Sequence, residues 1–318
     1  MGERRPDVIV VGAGVIGLTL GVCLAEQGLR VQLRTRSAPS ATTSAVASAM
    51  IGPSFAPADD PVGVRERVSI EEFTALADVP GAGVNLRRGR LASRQDVPAL
   101  PGMQPCSPAE LPAGFAAGVW TTLPLVDMPV YLDYLAQRLA GVGGQVEQTE
   151  VGSLTELARQ APLIANCAGL GARDLVPDPS VRPVRGQQVI VDNPGLEEFF
   201  ISAPFEPAWT AYWPYPNHVV LGGTQDADDE SLEPTPALAE EILRRCIEVE
   251  PRLRHAKVRR HQVGLRPVRP TVRLDVERIG GARCVHNYGH GGSGVTLSWG
   301  CAREAAALLT DLRQSRPR

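Results

Sequence analysis

The first thirty residues alternate between apolar runs and glycines. Residues 8–11 read VIVV, glycines follow at positions 12, 14 and 17, and apolar residues continue to position 25 without a charge. The run predicts a strand, a tight turn and a helix over about 15–27, with a second strand in LRVQLR. A membrane span or signal peptide is the alternative for this uncharged stretch. The glycines directly after a β-branched run argue against both.

The rest of the chain repeats such patterns at irregular intervals. Helical periodicity predicts helices at 64–77, 128–144, 237–249 and 295–312. Strands are predicted at 118–127, 163–167, 187–192, 199–203 and 218–223, and Pro-rich loops at 53–63 and 97–112. Rossmann-like pieces alternate with sheet-rich pieces, so we expect an α/β protein with two interleaved domains.

Composition excludes several classes of protein. The chain has 318 residues, of which 43% are hydrophobic and 21% charged, as in ordinary globular proteins. A net charge of -3 gives no electrostatic basis for binding nucleic acid or an anionic membrane. Its six cysteines have neither close pairing nor metal-ligand spacing, which favours a reducing compartment. Because the sequence closes with RQSRPR and no peroxisomal tripeptide, we expect a bacterial cytoplasm.

The glycines at the first turn have dinucleotide-binding spacing. In G-x-G-x-x-G the first glycine allows the turn, the second admits a pyrophosphate and the third lets the helix pack on the strand. The motif does not separate FAD from NAD or NADP.

The end of the second predicted strand departs from that motif. An acidic residue that would hold the ribose is expected about twenty residues on, but the chain reads LRTRS there. Arg36 and its neighbour Arg34 could accept a 2'-phosphate, so an NADP-dependent dehydrogenase stays open. In the other interpretation the arginines are solvated and another residue holds the ribose.

A second glycine turn lies near the end of the chain. The stretch HNYGHGGSGV precedes an amphipathic helix, whose N-terminus presents free amides and a partial positive charge. Such an end can stabilise negative charge on a cofactor. His286 and His290 are candidate metal ligands, but no Cys, Asp or Glu cluster accompanies them, so no metal is predicted.

Five stretches together resemble the D-amino-acid oxidase family of FAD-dependent enzymes, of a bacterial type with a shortened active-site lid. They are VIVVGAGVIGL, ATTSAVASAMIGP, NCAGLGARDL, GLRPVRPTVRLD and HNYGHGGSGVTLSWGCA, and they span nearly the full chain. The resemblance implies oxidative deamination of neutral D-amino acids by hydride transfer from Cα to flavin N5. Products would be a 2-oxo acid, ammonia and hydrogen peroxide.

The resemblance also implies a domain plan. A Rossmann-like domain that binds non-covalent FAD would comprise residues 1–51, 140–186 and 275–318. A sheet-rich α+β substrate domain of residues 52–139 and 187–274 would interlock with it.

Site residues follow by matching motif positions. Arg266 would bind the substrate carboxylate bidentately, the Gly292 carbonyl would accept from the substrate amine, and Tyr212 would hydrogen-bond the carboxylate. Arg269 and Arg273 fit a loop-propping role better. The expected FAD contacts are Gly12, Gly14, Val15, Ile16, Gly17, Arg36, Thr42, Thr43, Ser44, Gly291, Gly292, Ser293, Gly294, Val295 and Thr296.

The segment between strands FISA and TAYW departs from the family pattern. The second tyrosine of the family pattern, on the lid, has no counterpart in this sequence. Trp209 is nearest to its position, and the loop is expected to be shorter than in the family pattern. The segment 204–221 contains no arginine, which argues against an acidic substrate side chain.

The alternatives that stay open are an oxidase of glycine, sarcosine or D-aspartate and, from a different class, an NADP-dependent reductase. A homodimer also stays open. Beyond the substrate and oxygen no partner is expected.

Overall fold

The computed structural model describes residues 5–53, 56–57, 59–96, 103–202 and 209–314. The strands in these ranges are β1 (Val8–Val11), β2 (Val31–Thr35), β3 (Ala49–Met50), β4 (Val84–Ser93), β5 (Gln104–Pro105), β6 (Ala117–Val126), β7 (Gln145–Gln148), β8 (Leu163–Asn166), β9 (Arg182–Asp192), β10 (Phe199–Ser202), β11 (Ala211–Pro214), β12 (His218–Gly222), β13 (Asp226–Ala227), β14 (Val258–Ile279) and β15 (Ala282–His290). The α-helices are α1 (Val15–Glu26), α2 (Pro61–Leu76), α3 (Met128–Gly141), α4 (Leu154–Leu157), α5 (Ala172–Leu175), α6 (Pro236–Val249) and α7 (Gly294–Gln314). No helix in the described part of the chain is both long enough and apolar enough to span a membrane.

The chain divides into two compact units, each built from separate segments. The first unit contains residues 1–84, 128–183 and 266–318, and the second contains residues 85–127 and 184–265. These boundaries differ from the expected ones, because α2, α3 and the second part of β14 all belong to the first unit. Both helices are tied to it. Arg65 of α2 pairs with Glu304 of α7 at 2.7 Å, and Arg138 of α3 pairs with Glu26 of α1 at 2.7 Å.

The first unit is built on a parallel sheet with the strand order β7-β2-β1-β8-β15. Strand β1 reads VIVV and is buried throughout, as expected for a parallel strand covered on both faces. The second part of β14 runs antiparallel to β15 at the edge. Because β1, β8 and β15 are parallel, their carboxyl ends lie at one edge of the sheet, where ligands bind in such folds.

The second unit contains a mixed sheet with the strand order β6-β4-β10-β11-β12-β9. Strands β10, β11, β12 and β9 pair antiparallel, whereas β10 pairs parallel with β4. Helix α6 packs on one face, where Ile242 and Cys246 join Phe200 and Leu221 in a buried cluster. The apolar positions of α6 repeat with helical period, which explains why one stripe is buried.

The predicted α/β class is confirmed, as are the four later helices within a few residues. The predictions missed β4, whose three arginines hide its alternation, and β14, whose prolines are atypical of a strand interior. Two parts of the predicted elements fall outside the described residues. They are positions 97–102 of the second Pro-rich loop and position 203, the last of a predicted strand.

Candidate active site

The turn between β1 and α1 has room only for glycine at two positions. Gly12 has φ +102°, and a Cβ there would lie 2.5 Å from the carbonyl oxygen of Cys167. A Cβ on Gly17 would lie 1.8 Å from the carbonyl oxygen of Gly12. Both contacts are with main-chain atoms, which cannot rotate away. The glycine spacing read from the sequence therefore brings β1, β8 and α1 into direct backbone contact.

The N-terminus of α1 is bordered by the small-residue segment 42–44. The amide of Val15 donates to Ser44 Oγ at 3.0 Å, and a Cβ on Gly14 would lie 3.1 Å from the same atom. Gly14 caps the helix without a side-chain hydrogen bond, and the first turn contains no acidic residue. Thr42 donates through its hydroxyl to the Pro39 carbonyl at 2.7 Å, which holds this segment in a tight turn.

This end of the first unit fits a dinucleotide. Gly12 and Gly14 have no side chain of their own to cover the main chain. The helix dipole favours a negatively charged pyrophosphate at the N-terminus of α1. Ile16 is half-buried in the first turn, whereas Gly17 is fully buried against β1. Thr43 is exposed beside Ser44. The expected contacts of residues 12–17 and 42–44 are thus brought together at one helix end.

Of the two arginines at the end of β2, only one is exposed. Arg34 pairs with Glu147 on the neighbouring strand at 3.4 Å and donates to Gln32 at 3.0 Å. Arg36 is exposed beyond the strand, and its carbonyl accepts from Gln148 at 3.4 Å. Arg36 is therefore the exposed arginine at this strand end, whereas Arg34 is paired with a neighbouring strand.

The second glycine turn follows β15 at the same edge of the parallel sheet. Gly291 has φ +56° and begins a single 3-10 turn, Gly291–Ser293, which leads into α7. Gly292 and Ser293 are exposed, Gly294 and Thr296 are half-buried, and Val295 is buried. Helix α7 has no acidic residue in its first turn. The turn therefore presents a long helix N-terminus at the edge where α1 also begins.

The stretch RPVR of β14 lies along this turn, and three of its residues each lie against a different glycine. A Cβ on Gly289 would lie 2.7 Å from Arg269 Cβ, and one on Gly291 would lie 3.4 Å from Val268 Cγ2. A Cβ on Gly292 would lie 3.7 Å from Arg266 Cδ. The two most specific motifs of the sequence are thus one structural element, in which half-buried Arg266 lies beside Gly292.

The other two arginines of this stretch are engaged by acidic side chains. Arg269 Nε donates to Asp178 at 3.0 Å and its Nη1 donates to the Thr271 carbonyl at 2.9 Å. Arg273 donates to Asp275 at 3.0 Å and to Glu277 at 2.8 Å. The structure therefore places both in the supporting role expected from the sequence.

The two candidate metal ligands are part of the core. His286 is within hydrogen-bonding distance of Asn166 at 3.3 Å and of Glu277 at 3.1 Å. Burial and the charge of Arg65 lower the pKa of His290 to about 3, so its imidazole is neutral. No group of three or more potential metal ligands occurs among the described residues.

Tyr212 lies in the interior of the second unit. Its side chain is 1% exposed, belongs to the cluster under α6, and stacks on Phe200 with ring centroids 5.9 Å apart. Burial raises the pKa of Tyr212 to about 12, while the nearby Arg90, which hydrogen-bonds its hydroxyl, lowers it. This placement does not support the carboxylate-binding role that the resemblance gave to Tyr212.

Trp213 faces away from Tyr212, because successive strand side chains point to opposite faces. A Cβ on Gly222 would lie 2.9 Å from Trp213, and one on Gly223 would lie 2.8 Å from Trp209. The two indoles pack edge to face at 5.6 Å. Trp209 thus packs on the same face of the sheet as Trp213. The rest of the expected lid, residues 203–208, lies outside the described residues.

Sequence reasoning missed Asp178 and Tyr288. Both are buried in the first unit, and the Tyr288 hydroxyl donates to Asp178 at 2.8 Å. Asp178 follows α5 in a stretch without a motif, so only its contacts reveal it.

The chain is similar to known proteins over nearly its full length. The sequence profile of the DAO family of FAD-dependent oxidoreductases matches residues 7–308. The D-amino-acid oxidase of Rubrobacter xylanophilus is 47% identical over 308 residues, which cover 94% of each chain. That of Streptomyces coelicolor is 46% identical and covers 97% of this chain and 98% of its own. Glycine oxidase from Bacillus cereus shares the fold, with a TM-score of 0.80, 20% identity, and coverage of 97% and 96%.

Proposed function

This chain belongs to the DAO family of FAD-dependent oxidoreductases, and on that premise we propose that it oxidatively deaminates neutral D-amino acids. A D-amino acid, O₂ and water give a 2-oxo acid, ammonia and hydrogen peroxide. The observation that carries the proposal is the position of Arg266 beside the Gly292 turn. When bound, FAD would supply the two-electron oxidation of the Cα–N bond, with oxygen as the final electron acceptor.

Arg266 binds the substrate carboxylate. A guanidinium offers a planar pair of N–H donors that match the two carboxylate oxygens. The side chain is half-buried, with its Cδ 3.7 Å from the position of a Cβ on Gly292. Packing of the alkyl stem against the turn limits the rotamers of Arg266 and so fixes where the carboxylate is held.

The Gly292 carbonyl accepts a hydrogen bond from the substrate amine. Gly292 is exposed on the turn, so its main chain is open to a ligand. With the carboxylate on Arg266 and the amine on Gly292, two of the four substituents on Cα are fixed. The face of Cα that remains open then sets which enantiomer reacts.

FAD is held by residues of the first unit at the two helix ends. Residues 12–17 and Ser44 would hold the pyrophosphate at α1, and the exposed Arg36 would bind the nucleotide end. At α7 the turn residues 291–295 and Thr296 would hold the flavin, and the helix N-terminus would stabilise the negative charge of its reduced form.

The selectivity for neutral substrates rests on the absence of arginine from the sequence 204–221. Acidic D-amino acids need a second cation for the side-chain carboxylate. Six free cysteines favour a reducing compartment, and we propose the cytoplasm.

An anaerobic titration of the purified protein tests the function. D-alanine should bleach the visible flavin band, L-alanine should leave it unchanged, and air should restore it. A flavin band that neither enantiomer bleaches would contradict the proposal. D-aspartate measured in parallel should give a kcat/KM at least about tenfold lower, since a buried unpaired charge costs more than about 1.4 kcal/mol.

A pair of arginine variants tests the role of Arg266. Arg266→Ala should lower kcat/KM by about a hundredfold or more, because each hydrogen bond to a charged group contributes about 1.5–3 kcal/mol. Arg278→Ala removes an exposed arginine from the same strand and should leave kcat/KM unchanged. Equal activity of the two variants would contradict the assignment.

A further inference from the structure

A break in strand pairing lies directly beside Arg266. Val268 pairs with His290, but the next paired residue is Arg273, opposite Tyr288. Five residue steps on β14 therefore span only two on β15, which is a large bulge. Pro267 and Pro270 in this stretch have no N–H to donate to a ladder. Between Val268 and Arg273 the main chain of β14 therefore has no paired residue on β15.

Side chains replace the missing main-chain hydrogen bonds. Asp178, Arg269, Arg273 and Tyr288, here named the Asp178 clamp, connect both sides of the bulge. Arg269 Nε donates to Asp178 Oδ2 at 3.0 Å, and the Tyr288 hydroxyl donates to the same oxygen at 2.8 Å. Arg273 Nη1 donates to the Tyr288 oxygen at 2.9 Å. The residues at the two ends of the bulge thus bind one buried carboxylate, directly or through one hydroxyl.

Charge and burial determine the protonation states of the Asp178 carboxyl and the Tyr288 hydroxyl. Burial raises the pKa of the Asp178 carboxyl, but hydrogen bonds from Ser180, Tyr288 and Arg269 outweigh that effect and hold it below its ordinary value. Burial raises the pKa of Tyr288 to about 12. The carboxylate therefore only accepts, and the tyrosine hydroxyl has a proton to donate to it. A charge-assisted pair of this kind is stronger than neutral hydrogen bonds.

The clamp acts on the same turn that positions Arg266. The Arg269 side chain crosses the main chain at Gly289, whose φ of +84° and 2.7 Å approach leave no room for a side chain. Val268 and Arg266 lie over the next glycines, Gly291 and Gly292. Movement of Arg269 would therefore shift the segment that sets the distance between Arg266 and the Gly292 carbonyl.

We propose that Asp178 is a positioning residue for substrate binding: through Arg269 and Tyr288 it fixes the bulged segment of β14 so that Arg266 and Gly292 receive carboxylate and amine together. The inference rests on the proposed function. It predicts that loosening the clamp weakens binding of the carboxylate group while FAD binding, which uses other contacts, is retained.

Two clamp variants and one control test this. Asp178→Asn keeps the shape and removes the charge, and Tyr288→Phe removes only the linking hydroxyl. Asp275→Asn breaks another partner of Arg273, at 3.0 Å, but one that is exposed and outside the clamp. The readouts are KM and kcat for D-alanine, the Kd of propionate from its perturbation of the flavin band, and the Kd of FAD.

Both clamp variants should raise KM and the propionate Kd about tenfold, since sub-ångström to 1 Å misplacement costs up to about a hundredfold. The FAD Kd should change less than about twofold, and Asp275→Asn should match the wild type in every readout. If Asp178→Asn does not fold, Tyr288→Phe still decides. Unchanged KM and propionate Kd would overturn the proposal, as would an equal loss of FAD affinity, which indicates general loosening. If the wild type binds FAD but oxidises no D-amino acid, the proposed function fails, and propionate binding still tests the clamp.

Discussion

Replacement of Gly17 by alanine should separate α1 from β1 and weaken both folding and FAD binding. The new Cβ would lie 1.8 Å from the Gly12 carbonyl oxygen, about 1.6 Å short of the 3.4 Å at which ordinary contact begins. Neither atom can move by rotation of a side chain, so the helix must shift as a body. Overpacking costs about 1–3 kcal/mol and occasionally more. We expect the free energy of unfolding to fall by about 3 kcal/mol and Tm to fall by roughly 6–12 °C for a unit of this size.

The matched control for Gly17→Ala is Gly141→Ala at the end of α3. A Cβ on Gly141 would meet nothing within 4 Å, so this change should be neutral or stabilise by up to about 1 kcal/mol. Thermal unfolding of the apoprotein gives stability, and quenching of flavin fluorescence gives the FAD Kd. Displacement of the α1 N-terminus should raise that Kd at least about tenfold, or about 1.4 kcal/mol. If the two glycine variants behave alike in both measurements, the close packing of α1 on the β1 turn is not what the sequence motif encodes.

Two further predictions concern Tyr212 and His290. Tyr212→Phe should lower stability by about 1 kcal/mol through loss of its hydrogen bond with Arg90 and leave the KM for D-alanine unchanged; a tenfold rise in KM would restore Tyr212 to the substrate site. For His290, the pKa is about 3 in the folded protein against an ordinary 6.5, so between these values the unfolded chain binds a proton that the folded chain does not. The free energy of unfolding therefore falls as pH decreases, with a His290 contribution of about 2 kcal/mol between pH 7 and pH 5. Urea denaturation of His290→Gln should show a shallower pH dependence than the wild type, and parallel profiles would refute the buried neutral state.

The glycine turn between β1 and α1 was predictable because its determinants are local. Glycine spacing, a β-branched strand and an amphipathic helix lie within the first thirty residues, and each acts on its immediate neighbours. The same applies to the turn before α7, where four glycines precede an apolar stripe. The contact between Arg266 and that turn was expected only through a family resemblance, since no periodicity links the two stretches.

Tyr212 shows where a local pattern is insufficient. A strand points alternate residues to opposite faces, so an error of one residue in alignment moves a side chain to the other side of the sheet. The structure pairs Tyr212 with Leu221 and places it with the α6 cluster, whereas its neighbour Trp213 faces the other way. The match to the family pattern allowed a gap of one residue, and that gap decides the face.

By itself the sequence determined the parallel βαβ core, the two glycine-bordered helix N-termini and hence a dinucleotide-binding fold. Short-range sterics decide these features, because a glycine is required wherever main chain touches main chain. Only the tertiary structure decided which side of the sheet Tyr212 occupies and what holds the bulge in β14. Asp178 lies 91 residues from Arg269 and 110 residues from Tyr288 along the chain. Contacts over such separations depend on how the sheet brings distant segments together, and no local pattern records them.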